Sequence, residues 1–147
     1  MKFVVAAATA ALLVASPATA EGDVEAGEKG FKKCKACHSV VNPDGEVLYK
    51  GGKTGPNLYG IVGRGVAAED FKYGAGLLEA KDAGAVWTEE MLVAYVTDPK
   101  AWLGDNGYAT KSKMSFKLKK GGADVFAYLA SLAPAVEAEA EAEEKSE

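Results

Sequence analysis

Two thiols three positions apart, with an imidazole directly after the second, stand at Cys34-Lys35-Ala36-Cys37-His38. Thiols at this spacing can reach the two vinyl groups of one haem and form thioether bonds. The adjacent imidazole then ligates the iron. These are the only cysteines and the only histidine in the chain, so no other segment competes for the role. A bare pair of thiols would also suit a thioredoxin-like redox disulfide, but that motif follows a strand, whereas a helical pattern precedes this one. Zinc fits less well, because two thiolates and one neighbouring imidazole leave tetrahedral coordination incomplete.

The opposite face of the iron decides between a carrier and an enzyme. With no second histidine, bis-histidine ligation is excluded. Met91 falls on the apolar stripe of a predicted helix and reads as core filler. Met114 lies in Lys111-Ser112-Lys113-Met114-Ser115-Phe116, a polar loop where no stripe accounts for a thioether. It is the expected second axial ligand. A thioether with an imidazole leaves no open position, raises the potential and favours electron transfer over oxygen chemistry.

The elements that must hold these groups read as helices joined by loops. Asp23 is the expected N-cap of a helix reaching Lys33, with Val24, Gly27 and Phe31 at helical spacing. Ser39 to Gly65 is rich in Gly, Pro, Asn and Lys and reads as loops and turns. Thr88 is the expected cap of a second helix, with Glu89 and Glu90 in the first turn, Met91, Leu92, Tyr95 and Val96 on its apolar side, and Pro99 as its stop. Ala101 to Lys120 reads as a further loop. Ala123 to Leu132 forms the last helix, carrying Val125, Phe126, Leu129 and Leu132 and ended by Pro134. Sustained β-type alternation is missing, so the expectation is all-α: three main helices and loops around one covalently bound haem.

At 147 residues the chain has room for one domain. Lys2, the apolar run Phe3 to Val14 and Ala18-Thr19-Ala20 read as a secretory signal cleaved after Ala20. The run is too short and alanine-rich for a membrane anchor. Residues 21–136 form the haem domain. From Glu137 onward an Ala/Glu tail carries six Glu against Lys145, and a disordered solvating extension is expected there. The body, Glu21 to Val136, holds fifteen acidic and fifteen basic residues, which gives nucleic-acid binding no support. Its lysines are unevenly spread, with Lys32, Lys33 and Lys35 around the motif and Lys111, Lys113, Lys117, Lys119 and Lys120 near Met114.

Further residues carry a family resemblance. Gly22-Asp23-Val24-Glu25-Ala26-Gly27, Thr54-Gly55-Pro56-Asn57-Leu58-Tyr59-Gly60, Gly63-Arg64, Trp87, Tyr95, Asp98-Pro99, Lys113-Met114 and Tyr128-Leu129 follow the haem motif's pattern in order. Together they resemble the class I cytochromes c, most closely the purple-bacterial cytochromes c2, over about Asp23 to Leu132. Two stretches depart from the shortest members: the long loop Asn42 to Lys53, and Leu103 to Thr110, inserted before the methionine.

The resemblance implies roles. The Pro56 carbonyl accepts the free N–H of the ligating imidazole. Tyr73 and Trp87 hydrogen-bond a buried haem propionate, and Arg64 offsets its charge. Tyr95 packs on the methionine side and can donate to the sulfur. Gly27, Phe31 and Tyr128 make the crossing of first and last helices. The implied function is a soluble, monomeric, periplasmic carrier of electrons through one haem c. It takes them from a quinol-oxidising cytochrome bc complex to a photosynthetic reaction centre or terminal oxidase. Docking would be transient, through a lysine rim including Lys32, Lys33, Lys35, Lys111, Lys113 and Lys117, and steeply salt-dependent. The competing reading, a peroxidase-like haem enzyme, requires a displaceable sixth ligand.

Overall fold

Asp23 opens the first helix as the sequence leads one to expect, its carboxylate accepting from the Ala26 amide at 2.9 Å. The computed structural model describes residues 22–133, and the signal and tail boundaries, with Pro134, lie outside them. Five helices occur among the described residues: α1 (Val24–Phe31), α2 (Ala75–Asp82), α3 (Glu89–Thr97), α4 (Pro99–Asp105) and α5 (Gly122–Leu132). An antiparallel pair, β1 (Val40–Val41) and β2 (Val47–Tyr49), interrupts the predicted loop after the haem motif. None of the helices is long and apolar enough to cross a membrane.

α1 crosses α5 at its glycines. A Cβ at Gly27 would lie 1.9 Å from the Asp124 carbonyl oxygen, so only glycine lets the two backbones meet this closely. Below the crossing, Phe31 is fully buried, edge-on to Tyr49 at 4.8 Å and tilted against Tyr128 at 5.6 Å. The predicted helix crossing is therefore present. Val24, expected on the same apolar face, is instead 44% exposed, although α5 meets the chain on either side of it, at Gly22 and at Gly27.

Thr88 caps α3 through a bond from the Met91 amide, with Glu89 and Glu90 at the positive end of the helix dipole. The segment from Ala101 is not simply a loop. Asp98 ends α3 and at once N-caps α4, accepting from the Ala101 amide at 3.3 Å, while Pro99 takes the first helical position where its missing N–H costs nothing. α4 buries Trp102 and Leu103, which were expected in a lysine-rich turn. α2 was not anticipated either. Its buried face is Gly76 and Ala80, too small to register as an apolar stripe.

The core is one cluster with two aromatic centres. Phe31, Tyr49 and Tyr128 form the first. In the second, Trp102 meets Trp87 at 5.4 Å, Tyr95 at 5.5 Å and Tyr108 at 6.0 Å between ring centroids. Tyr108 of the inserted stretch thus packs onto Trp102, which in turn backs Trp87 and Tyr95.

Candidate functional site

After Phe31 the chain keeps turning helically: Cys34 N bonds Phe31 O, Cys37 N bonds Cys34 O, and His38 N bonds Cys34 O. Spacings of three and four then put both thiols and the imidazole on one side of the turn. They line a largely apolar cleft enclosing about 1330 Å³ of atom-free space, its open mouth included. Pro56 stands beside them. Tyr95 and Met114, Arg64, Tyr73 and Trp87 contribute to the same lining, as do Phe31 and Leu129 from the crossed helices. Every residue singled out from the sequence for the haem is in this one cleft.

His38 is 9% exposed, and its Nδ1 lies 2.8 Å from the Pro56 carbonyl. A carbonyl can only accept, so Nδ1 carries the proton and Nε2 keeps its lone pair. Gly55 holds the ring flat: a Cβ there would be 2.5 Å from Cε1. Burial lowers the imidazole's pKa, opposed by the bond to Pro56, and so favours the neutral form that a metal requires. Burial pushes the Cys34 thiol up, helped by Cys37 and opposed by Lys33. Both cysteines are free, Cys34 half-buried and Cys37 exposed.

Asn57, which sequence reasoning noted only as part of a turn, anchors the loop that presents Pro56. Its Oδ1 accepts from the Val41 amide at 3.0 Å and from the Tyr59 amide at 3.1 Å, and its Nδ2 donates to Val41 O at 2.8 Å.

On the methionine side, Ser112 is the organiser that the sequence did not reveal. Its Oγ accepts from the Met114 amide at 3.1 Å and donates to the Met114 carbonyl at 2.9 Å. The Tyr95 hydroxyl sits 3.4 Å from the same Oγ, so its partner here is Ser112 and not the thioether that the resemblance implies. Lys113 Nζ reaches the Lys72 carbonyl at 2.6 Å, tying the methionine loop to the segment carrying Tyr73.

Arg64 is held from several sides. Nη1 donates to Tyr59 O at 2.8 Å and to Glu69 Oε1 at 2.9 Å, and Nη2 donates to Asn57 O at 3.0 Å. Its Nε is buried with no partner. Backbone bonds from Trp87 N to Arg64 O and from Gly63 N to Trp87 O bring Trp87 alongside. Burial raises the Tyr73 phenol's pKa, and the nearby Arg64 charge opposes that rise.

This donor set suits a covalently held haem. The cleft supplies paired thiols, one neutral imidazole with a free Nε2, a thioether and an apolar lining. It also supplies a guanidinium with a buried, unsatisfied N–H of the kind an anionic group would engage. No group of three or more His, Cys, Asp or Glu side chains that could hold a bare metal ion occurs among the described residues.

No family model matches the chain. It is 56% identical over 148 residues to cytochrome c-550 of Paracoccus versutus, with 95% of each chain covered. With cytochrome c2 of Rhodobacter capsulatus it shares 52% identity over 136 residues, covering 90% of this chain and 98% of that one. Among solved structures, ferric cytochrome c-550 of Paracoccus versutus superposes with a TM-score of 0.73 at 58% identity, over 78% of this chain and all 100% of the other. Cytochrome c2 of Paracoccus denitrificans gives a TM-score of 0.73 at 54% identity, over 78% and 98%.

Proposed function

We propose, for a chain that belongs to the class I cytochromes c of the c2 and c-550 kind, that Cys34 and Cys37 would hold one haem covalently and that His38 and Met114 would ligate its iron. The family consists of electron carriers rather than enzymes, and its cofactor is haem c. The observation that carries the reading is the state of His38. Its Nδ1 is committed to Pro56 at 2.8 Å, so Nε2 is left free in a cleft that Met114 also lines.

When bound, the haem iron supplies a one-electron ferric–ferrous couple. The chain's own residues keep that change small. Pro56 and Gly55 prevent the imidazole from rotating. Ser112 and Lys113 hold the methionine loop at both its backbone and its flank, so the thioether can stay in place in either state. Apolar walls from Phe31, Leu129 and their neighbours exclude water and favour the less charged ferrous centre. Arg64, Tyr73 and Trp87 line the cleft where they can meet a propionate, the guanidinium offsetting its charge. Tyr95 supports the methionine side through Ser112.

In this reading residues 21–136 are the working domain, following a signal cleaved after Ala20, and residues 137–147 are an acidic appendage. The carrier works as a monomer in the periplasm. Its donor is a quinol-oxidising cytochrome bc complex, and its acceptor a photosynthetic reaction centre or terminal oxidase. Lys32, Lys33, Lys35, Lys111, Lys113 and Lys117 are all exposed, and Lys33 and Lys113 also line the cleft, which supports a positive docking rim around it.

Replacement of Met114 by Ala tests the ligand assignment. The sulfur-to-iron band of the ferric protein disappears, cyanide binds rapidly at neutral pH, and the midpoint potential falls. An unaltered visible spectrum and midpoint would overturn it.

A further inference from the structure

Arg64 lies between two clefts. On one side it lines the haem cleft and leaves Nε buried and unpartnered. On the other side its ion-pair partner Glu69 borders a second, shallower cleft with Lys53 and Asp70. The pair is asymmetric: the Arg64 side chain is 15% exposed and Glu69 36%. Two backbone carbonyls, Tyr59 O and Asn57 O, already fix the guanidinium. What Glu69 adds, and no other bonded partner supplies, is a full negative charge 2.9 Å from Nη1. Burial alone would weaken the hold of Arg64 on its proton, and the Glu69 carboxylate opposes that.

The geometry points to Glu69 as the residue that sets how much of the Arg64 charge is felt inside the haem cleft, and thereby tunes the midpoint potential. This rests on the reading that Arg64 faces an anionic edge of the bound haem. A bare guanidinium would favour the electron-rich ferrous state strongly. Compensated by Glu69, it can satisfy an anion locally while contributing less net field at the iron. Glu69 does this from the solvent side, without touching the cofactor, so it acts through Arg64.

The test uses the holoprotein and four variants. Glu69→Gln keeps an acceptor for Nη1 and removes only the charge, so the ferrous-to-ferric ratio at a fixed ambient potential rises about threefold, or roughly 30 mV for a one-electron couple. Asp44→Asn removes an exposed acid that borders neither cleft, from the turn between β1 and β2, and measures the generic effect of one lost surface charge. Arg64→Gln shifts the ratio the opposite way, and Arg64→Met, equally uncharged, serves if that variant does not fold. The Arg64 Nε–H resonance also moves in Glu69→Gln, while the melting temperature stays within a few degrees. A Glu69→Gln shift no larger than that of Asp44→Asn, with Arg64 still responding, overturns the role of Glu69 alone. A midpoint indifferent to Arg64 substitution overturns the underlying placement of Arg64 as well.

Discussion

Substituting Gly27 by Ala places a methyl group where the structure has no room for one. The new Cβ would sit 1.9 Å from the Asp124 carbonyl oxygen, 2.6 Å from its carbon and 2.8 Å from Tyr128 Cβ. The obstacle is backbone, which cannot swing aside, so α1 must retreat from α5 by roughly an ångström. That loosens Phe31 from Tyr128, now 5.6 Å apart between ring centroids, and parts two helices that both wall the haem cleft. Overpacking of this kind costs about 1–3 kcal/mol, and a backbone clash belongs at the upper end. Exchanging a helical glycine for alanine returns about 1 kcal/mol. The net loss of about 2 kcal/mol lowers the melting temperature by roughly 8–16 °C in a domain of this size. Gly30→Ala is the internal control. Its Cβ would meet only Val125 Cγ2, a methyl at the end of a side chain, at 3.1 Å. That contact can yield, so the helix-propensity gain should leave Gly30→Ala at least as stable as the parent. Both variants can be followed by thermal and guanidinium unfolding of the holoprotein, with far-ultraviolet dichroism for the helices and visible absorbance for the cleft. Equal stability of the two variants would refute the argument that backbone proximity at this crossing excludes every side chain.

Two further outcomes follow from the same geometry. In Gly55→Ala the methyl would press on the imidazole, 2.5 Å from Cε1 and 2.8 Å from Nδ1, and displace His38 from Pro56. The His38 Nδ1–H should then exchange with solvent much faster in the ferrous protein, and stability should fall by about 1–3 kcal/mol; an unchanged exchange rate argues against the placement. Asp98 accepts from Lys117 Nζ at 2.6 Å and caps α4, and the lysine, then the Ala101 amide, hold its carboxyl below the usual range. A depressed carboxyl stabilises the fold fully above its unfolded value near pH 4, and loses that contribution as pH falls through the lower folded value. The stability gap between parent and Asp98→Asn should thus be constant from about pH 5 to 7 and shrink below pH 4, whereas a gap as wide at pH 3 as at pH 7 contradicts the linkage.

Much of the architecture was legible because the signals are local. Asp23 and Thr88 act as N-caps through bonds to amides three residues ahead, and the helices they open carry their own apolar residues. The haem motif is likewise a matter of spacing along a single turn. The remaining elements carry either a faint local signal or an ambiguous one. α2 buries Gly76 and Ala80, and small residues leave no stripe. β1 and β2, at two and three residues, are too short to show alternation. Asp98-Pro99 reads as a stop for α3, yet an N-cap followed by proline at the first helical position is also a start signal, and the dipeptide performs both tasks. Val24 fits the helical spacing yet stays 44% exposed, which the docking of α5 decides and periodicity does not.

By itself, then, the sequence determined the chemistry on offer: paired thiols, one imidazole, a thioether on a polar loop, and caps that start helices where they are needed. Those properties reside in residue type and short-range spacing, which a chain carries whether or not it is folded. Only the tertiary structure decided how the groups are tuned. Pro56 meets His38 across 18 positions, Lys113 reaches Lys72 across 41, and Arg64 meets Glu69 with its Nε left over. Proton location, charge compensation and loop anchorage depend on distances of about three ångströms between segments whose separation along the chain says nothing about their separation in space.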